Sequence, residues 1–201
     1  MKGFTVWLTG LPCSGKSTLA LELTNNLLER GLRVELLDGD ELRTNLSKGL
    51  GYSKEDRITN ILRVGWVCKL LTRNGTIVIC AVIAPYESAR DKNREEIGRY
   101  MEVYVTAPLE TLIERDVKGM YRKALAGEIK NFTGIDDPYE PPSKPEAVVE
   151  TDRETIEEST QKILKTMEIL GFIPSESIGD ITYSAEEESK IKSRLEDLGY
   201  L

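Results

Sequence analysis

Residues 4–18 read FTVWLTGLPCSGKST, and this stretch decides the fold. Its first six residues form a short β-rich run, and residues 16–30 carry leucines at helical spacing. Between them, residues 10–17 fit the pattern GxxxxGK[ST] at every fixed position. Glycines let a backbone wrap closely round a phosphate, while loop N–H groups and the helix N-terminus supply positive potential. A strand entering this loop and a helix leaving it predict a phosphate-binding loop, here called the P-loop.

The P-loop predicts ATP binding. Lys16 is placed to reach the β- and γ-phosphates, and Ser17 offers its hydroxyl to Mg²⁺. The residues expected to bind ATP are Gly10, Leu11, Pro12, Cys13, Ser14, Gly15, Lys16, Ser17 and Thr18. P-loop proteins include GTPases, motor ATPases and small-molecule kinases, but the chain lacks the guanine-reading NKxD motif, and 201 residues leave little room for a motor. A kinase is therefore favoured.

Short apolar runs alternate with helical patterns along the chain. Strands are predicted over 4–9, 33–37, 76–83, 100–105 and 147–149, and helices over 16–30, 59–73, 87–99, 108–116 and 155–170. The run TIVICAVI at 76–83 is the most apolar, as expected of a strand covered on both faces. The alternation predicts an α/β, three-layer P-loop nucleoside-triphosphate hydrolase/kinase fold with a mainly parallel sheet.

Residues 117–145 interrupt the alternation, because they have no long apolar run and are rich in Gly, Pro, Lys and Asp. Loops this long usually serve function or are disordered. The embedded aromatic residues Tyr121, Phe132 and Tyr139 favour a closing lid, at about 116–145. Kinases close such segments to keep water from the γ-phosphoryl group.

The domain organisation follows from these patterns. Residues 1–171 are predicted to form one kinase-like domain, and residues 172–201 a C-terminal extension. Within the extension, AEEESKIKSRLEDL (185–198) predicts a solvated helix, with a partner-docking or dimer-supporting segment as the alternative.

Composition excludes several classes of protein. The net charge of −7 argues against nucleic acid and anionic membrane as partners. The chain has no histidine, so a general base must be a carboxylate. Its three cysteines lack a CxxC spacing, which argues against a disulfide framework and a zinc site. Since the N-terminus does not fit a signal peptide and no apolar run reaches spanning length, we expect a cytoplasmic protein.

Polar side chains that could bind the phosphoryl acceptor of a kinase follow the second predicted strand. Asp38 and Asp40 flank a glycine there, at the carboxyl edge of the sheet, where ligands bind in open α/β folds. One carboxylate there can accept a proton or hold water on Mg²⁺, and a simple acidic turn is the alternative. Arg43, Arg57 and Asn60 add planar donors suited to phosphate or sulfate oxygens, although each alone is typical of a solvated surface.

Four stretches carry a resemblance to a known family. They are LDGDELR (37–43), GYSKEDRITNI (51–61), VIAPYESARDKNR (82–94) and YRKALAGEIKNFTGIDDPYEPPSKPE (121–146). In this order they closely resemble the adenylyl-sulfate kinases, over roughly residues 1–170. The resemblance implies MgATP-dependent phosphorylation of the 3′-hydroxyl of adenosine 5′-phosphosulfate (adenylyl sulfate) to 3′-phosphoadenylyl sulfate, in sulfate activation. It also implies a homodimer, and a separate sulfate adenylyltransferase is a further candidate partner.

The resemblance assigns roles residue by residue. Asp40 resembles the acidic residue near the acceptor hydroxyl and Mg²⁺, and Arg115 the start of the segment that closes over the nucleotides. The implied substrate-binding residues are Asp40, Arg43, Tyr52, Arg57, Asn60, Ile83, Ala84, Lys118, Phe132 and Thr133. Tyr52, where the family usually has phenylalanine, and Phe132 are implied to sandwich the substrate adenine. Stacking of this kind gives about 1–3 kcal/mol per base.

Ala84 is the main departure from the family pattern. It stands where the family has a serine often described as a phosphorylated intermediate, and alanine cannot be phosphorylated. Phosphoryl transfer depends mainly on positioning and charge stabilisation. With Lys16 and Asp40 both present, we expect direct in-line transfer. The alternatives are a ligand-binding homologue with reduced or no turnover, and a kinase of another small hydroxylated metabolite.

Overall fold

The computed structural model describes residues 2–175 and 185–197 of the chain. Its elements, in chain order, are β1 (Phe4–Thr9), α1 (Lys16–Glu29), β2 (Val34–Asp38), α2 (Gly39–Asn45), α3 (Lys54–Arg73), β3 (Ile77–Ala81), α4 (Glu87–Ile97), β4 (Tyr100–Thr106), α5 (Leu109–Arg115), α6 (Met120–Leu125), β5 (Ala147–Glu150), α7 (Ile156–Ile169) and α8 (Ala185–Asp197). Every strand and helix predicted from the sequence is present. Helices α2 and α6 are additional.

The five strands form one parallel sheet in the order β2-β3-β1-β4-β5. The central strand β1 pairs Phe4 with Ile77 of β3 on one side and Thr5 with Tyr100 of β4 on the other. Because the strands are parallel, all their carboxyl ends lie at the same edge of the sheet. The P-loop follows β1 at this edge, and α2 follows β2 there.

Helices cover both faces of the sheet. Apolar residues of α1 and α7, such as Leu23 and Ile163, are buried against one face. On the other face, Ile61 and Val64 of α3 form a second core that includes Trp7 of β1. Two helical layers round a sheet confirm the predicted three-layer α/β architecture.

Two helices begin where the sequence pattern predicts loop. No helix is predicted at 38–40, where an acidic turn is the alternative to a functional carboxylate, but Asp38 caps α2, and its Oδ1 accepts a hydrogen bond of 2.9 Å from the Asp40 N–H. Helix α3 starts at Lys54 rather than at 59, because the Ser53 Oγ accepts from the Asp56 N–H over 3.1 Å. Capping side chains therefore start both helices ahead of any apolar periodicity.

The segment predicted to be a lid (residues 116–145, called the lid below) contains α6 and takes part in a small separate core. Tyr121 is fully buried and packs with Leu112, Ala124 and Phe132. Leu11 of the P-loop packs against this cluster, so the lid lies directly on the loop.

The C-terminal part of the main core extends past the predicted boundary at 171. Phe172 and Ile173 are buried with the core, and the Phe172 ring lies 4.8 Å from that of Phe4. Helix α8 confirms the helix predicted at 185–198, although its Leu195 is fully buried rather than solvated. Residues 176–184 and 198–201 of the predicted extension lie outside the described residues. None of the helices in the described part of the chain is both long and apolar enough to cross a membrane.

Candidate active site

A single cavity of about 960 Å³ lies at the carboxyl edge of the sheet, between the P-loop, α2, α3 and the lid. All of the predicted acceptor-side residues line it, namely Asp40, Arg43, Tyr52, Arg57, Asn60, Ile83, Ala84, Lys118, Phe132 and Thr133. The predicted ATP-side residues that line it are Pro12, Cys13, Gly15, Lys16, Ser17, Thr18 and Arg115. Gly10, Leu11 and Ser14 belong to the P-loop without lining the cavity. The structure thus brings both predicted halves of the site together.

The P-loop makes a tight turn. Gly10 has φ 155°, and a Cβ there would lie 2.1 Å from the Val105 carbonyl oxygen of the neighbouring strand. Only glycine fits this position, because no real Cβ approaches a backbone atom so closely. Cys13 adopts a left-handed φ of 61°, and Gly15 one of 96°. Left-handed backbone of this kind is what lets a loop wrap closely round a phosphate.

Lys16 lies inside the curve of the P-loop. Its side chain is buried, and Nζ donates to the Leu11 carbonyl over 2.6 Å and to Ser14 Oγ over 3.2 Å. Burial lowers the pKa of Lys16 to about 8, although Cys13 and Asp38 act in the opposite direction. An anion bound in the loop would favour the charged form of this ammonium.

Ser17 and Asp38 both line the cavity and are joined by a hydrogen bond. The Ser17 hydroxyl donates to Asp38 Oδ2 over 2.6 Å, so Asp38 contacts the P-loop while capping α2. Asp40 is predicted to hold Mg²⁺ together with Ser17, but its carboxylate instead contacts Lys118 at the start of the lid. This contact is the main cause that raises the pKa of Lys118. Sequence reasoning placed Asp38 at this edge as one of two candidate carboxylates, but it assigned the site roles to Asp40 alone.

Thr151 connects Arg115 to the P-loop, and it was not predicted to belong to the site. Its hydroxyl donates to the Ser14 carbonyl over 3.0 Å and accepts from Arg115 Nη1 over 2.9 Å. Arg115 Nη2 donates to the Thr151 carbonyl over 2.7 Å. Thr151 follows β5 directly, so its position at the carboxyl edge of the sheet is the signal that could have identified it.

Arg57 ties α3 to the lid. Its guanidinium is nearly buried and donates to Thr133 Oγ1 over 2.7 Å, to the Tyr52 carbonyl over 2.9 Å and to the Asn131 carbonyl. Asp137 of the lid lies 3.6 Å from its Nε. The predicted anion-binding arginine therefore also fixes how the lid lies over the cavity.

The two predicted stacking residues differ in their surroundings. Phe132 is nearly buried and meets Tyr121 edge-on, with ring centroids 5.0 Å apart. Tyr52 is exposed, and the Arg43 guanidinium lies 4.4 Å from its ring centroid. Both rings line the cavity, and the sandwich itself stays a prediction. Asn60 Oδ1 accepts a hydrogen bond from the Ser47 hydroxyl.

Ala84 occupies a special backbone position in the wall of the cavity. It is buried and has a left-handed φ of 46°, which costs an alanine roughly 1–2 kcal/mol. Its carbonyl accepts from Arg90 Nη1 over 2.6 Å, and the Ile83 carbonyl accepts from Thr9 Oγ1 over 2.6 Å. These bonds hold the wall in this conformation.

Comparison with protein families and curated relatives gives one consistent result. Residues 2–150 match the model of the family described as adenylylsulphate kinase. The adenylyl-sulfate kinase of Rippkaea orientalis is 58% identical over 172 residues, covering 86% of this chain and 95% of that protein. The probable bifunctional SAT/APS kinase 2 of Sorangium cellulosum is 58% identical over 174 residues, covering 87% of this chain but 30% of that protein.

Comparison with solved structures agrees. The Mycobacterium tuberculosis APS kinase, solved in complex with AMPPNP and APS, has 41% sequence identity and a TM-score of 0.79. The match covers 83% of this chain and 98% of that chain.

Proposed function

The chain belongs to the adenylylsulphate kinase family, and from this premise we propose that it transfers the γ-phosphoryl group of ATP to the 3′-hydroxyl of adenylyl sulfate. The products are 3′-phosphoadenylyl sulfate and ADP, which places the chain in sulfate activation and assimilation. The observation that carries the proposal is the single cavity shared by the P-loop and the acceptor-side residues. A shared cavity allows donor and acceptor to meet without an intervening solvent layer.

The donor binds on the P-loop side. Loop N–H groups and the Lys16 ammonium hold the β- and γ-phosphates. The N–H groups and the ammonium, which is buried against the loop, together provide the positive potential that anions need. Arg115 lines the same side of the cavity, and Thr151 fixes its guanidinium to the loop. Closure of the lid over this side keeps water from the γ-phosphoryl group.

The acceptor binds on the opposite side. Arg43, Arg57 and Asn60 supply planar donors for the phosphosulfate oxygens. The adenine ring lies between Tyr52 and Phe132, which hold its faces without reading its edge.

Mg²⁺ fits the oxygen donors that the cavity offers. No group of three or more His, Cys, Asp or Glu residues among the described residues forms a metal site by itself. Nucleotide-bound Mg²⁺ needs no such cage, because it takes ligands from one or two protein oxygens and from phosphates. The Ser17 hydroxyl and the Asp38 carboxylate would hold it, with Asp40 as the predicted third contributor. The ion supplies neutralisation of charge on the phosphate oxygens.

A carboxylate of α2 is proposed to accept the proton of the acceptor hydroxyl. The chain has no histidine, so Asp40 is the proposed group that accepts the proton of the 3′-hydroxyl. Its contact with Lys118 must be exchanged for one with the substrate when the acceptor binds. Lys118 then remains at the cavity mouth as a further cation for the acceptor's anionic end.

Transfer is proposed to be direct and in line. The Ala84 side chain has no oxygen to carry a phosphoryl group, so the 3′-hydroxyl attacks the γ-phosphorus itself. Positioning and charge stabilisation carry most of phosphoryl-transfer catalysis. Lys16, the Ser17–Asp38 pair and Asp40 supply these functions.

Acceptor-dependent ADP release tests the substrate. With MgATP, adding adenylyl sulfate should start ADP release, whereas adenosine 5′-monophosphate or a small sugar acid should not. ADP release with a different hydroxylated acceptor, but not with adenylyl sulfate, would favour another kinase activity. Saturable binding of both nucleotides without ADP release would favour the ligand-binding alternative.

Assembly, partners and location remain predictions. We propose a homodimer that takes adenylyl sulfate from a separate sulfate adenylyltransferase. The bifunctional name of the Sorangium relative is consistent with coupling of the two activities in that protein. Cys13, Cys68 and Cys80 are free thiols, in keeping with a cytoplasmic location.

A further inference from the structure

Arg90 is a buried charge beside the cavity that the proposed mechanism leaves unused. It lies on α4, is 1% exposed, and does not line the cavity. We propose that Arg90 is a positioning residue for the acceptor, because it fixes the cavity wall at residues 82–85 (the acceptor wall) to residues 137–140, where the lid returns to the sheet. This inference rests on the proposed function.

Three contacts spread the Arg90 guanidinium over three segments. Its Nη1 donates to the Ala84 carbonyl over 2.6 Å, and its Nη2 donates to the Glu140 carbonyl over 2.8 Å. Its Nε is ion-paired with Glu102 Oε1 of β4 over 2.8 Å. One side chain thus joins the acceptor wall, the returning lid and the sheet.

The two carbonyls explain why an arginine is needed. The Ala84 carbonyl belongs to a residue held at a left-handed φ, a conformation that persists only when its surroundings fix it. A guanidinium offers donors in a rigid planar fork and so reaches both carbonyls at once. A lysine ammonium keeps the charge opposite Glu102 but lacks that fork.

Further bonds join the same two segments. The Glu140 N–H donates to the Pro85 carbonyl over 2.8 Å, and the Glu140 carboxylate accepts from the Glu87 N–H over 2.8 Å. Tyr139 Oη lies 3.0 Å from Thr9 Oγ1, whose proton goes to the Ile83 carbonyl. Together with the bonds of Arg90, these bonds form the seam between the acceptor wall (82–85) and residues 137–140. Arg90 is the buried centre of this seam.

The expected consequence is selective for the acceptor. Ile83 and Ala84 line the acceptor side, whereas the P-loop is fixed separately by β1 and by Thr151. Loosening the seam should therefore raise the KM for adenylyl sulfate and leave the KM for ATP nearly unchanged. It should also expose the lid to proteases.

The test compares Arg90→Lys with Glu102→Gln. Arg90→Lys should raise the KM for adenylyl sulfate by about tenfold or more, as expected for a lost charge-assisted hydrogen bond. Without substrates, trypsin should cut this variant faster than wild type after Arg122, Lys123 and Lys130 of the lid. Glu102→Gln removes the ion pairs of Glu102 with Arg90 and Arg94 but leaves both carbonyl bonds of Arg90, so it should lower the melting temperature with both KM values unchanged.

A double variant covers the case in which Arg90→Lys does not fold. Arg90→Gln combined with Glu102→Gln removes the buried pair without leaving an uncompensated charge. Compared with Glu102→Gln alone, it should show the same selective rise in the KM for adenylyl sulfate.

Equal rises in both KM values, or unchanged KM values with unchanged lid cleavage, would overturn the role of Arg90. The proteolysis does not need turnover, so it judges Arg90 even if the wild-type protein proves inactive. Inactivity of the wild-type protein would count against the proposed function alone.

Discussion

The Ser17 hydroxyl and the Asp38 carboxylate are joined by a hydrogen bond of 2.6 Å. This bond brings the end of the P-loop to the end of strand β2, so the proposed phosphate-binding and proton-accepting parts of the cavity lie next to each other. Asp38 also caps α2, which sets where Asp40 stands. The two carboxylates therefore have separate surroundings, and their roles can be separated by mutation.

Asp40→Asn should lower kcat by about 10²-fold or more, since a positioned general base contributes that much. Asp38→Asn should instead raise the Mg²⁺ concentration needed for half-maximal rate. Asparagine keeps an oxygen for Ser17 and caps helices as well as aspartate does, so the melting temperature should change little. Steady-state rates across a Mg²⁺ titration measure both effects. Identical kinetic defects in the two variants would show that the roles are not divided in this way.

Two threonines provide a matched test of the donor and acceptor sides. Thr151→Val removes the hydroxyl that joins Arg115 to the P-loop, and Thr133→Val removes the one that Arg57 binds. Each loss should cost about 1–1.5 kcal/mol, or roughly five- to tenfold in affinity. Thr151→Val should raise the KM for ATP, and Thr133→Val the KM for adenylyl sulfate. If both variants weakened the same substrate, the division of the cavity into two sides would be wrong.

The buried Lys16 predicts an alkaline limit on ATP use. Burial lowers its pKa to about 8, so the free enzyme loses the ammonium charge as pH rises through that value. The kcat/KM for ATP should therefore fall above pH of about 8, because this parameter reports the free enzyme. With ATP saturating, bound phosphates keep Lys16 charged, and kcat should not show the same fall. A flat kcat/KM profile for ATP up to pH of about 10 would contradict the assignment.

The same pKa has a consequence for stability. Between about 8 and the ordinary value of 10.5, an unfolded chain binds a proton at Lys16 that the folded chain does not. Titration of Lys16 should therefore increase the free energy of unfolding as pH rises from about 8 to 10.5. Lys16→Met should lack this contribution, which chemical denaturation at two pH values would measure.

Phe132→Ala should weaken adenylyl sulfate binding far more than ATP binding. The lost stacking is worth about 1–3 kcal/mol, or roughly five- to 150-fold in affinity. Tyr121→Phe is the matched control, because it keeps the ring that Phe132 packs against and loses only the hydroxyl that donates to the Pro12 carbonyl. Calorimetry with each ligand separates the two affinities. An equal loss for both ligands would remove Phe132 from the acceptor side.

Much of the fold followed from local sequence signals. The GxxxxGK[ST] pattern between a strand and a helix predicted the P-loop, and the strand–helix alternation predicted the parallel sheet. Helices α2 and α6 are only seven and six residues long, so they carry too little apolar periodicity to stand out. Helix α2 is capped by Asp38, and α6 buries Tyr121 and Ala124 in the small core of the lid.

Contacts between distant segments could not be predicted in the same way. Ser17 and Asp38 meet because parallel strands end at one edge, and Thr151 joins the P-loop for the same reason. The bond from Arg57 to Thr133 spans 76 residues, and a single sequence contains no signal for such a pairing. Those tertiary contacts decide which polar side chains face one another inside the cavity.

Product analysis with the wild-type and Ala84→Ser proteins tests direct phosphorylation of adenylyl sulfate most directly. Purified wild-type protein with MgATP and adenylyl sulfate should form 3′-phosphoadenylyl sulfate and ADP in equal amounts. Ala84→Ser should form the same products at a comparable rate. Formation of 3′-phosphoadenylyl sulfate by Ala84→Ser but not by the wild-type protein would contradict direct transfer and identify the natural chain as a binding homologue.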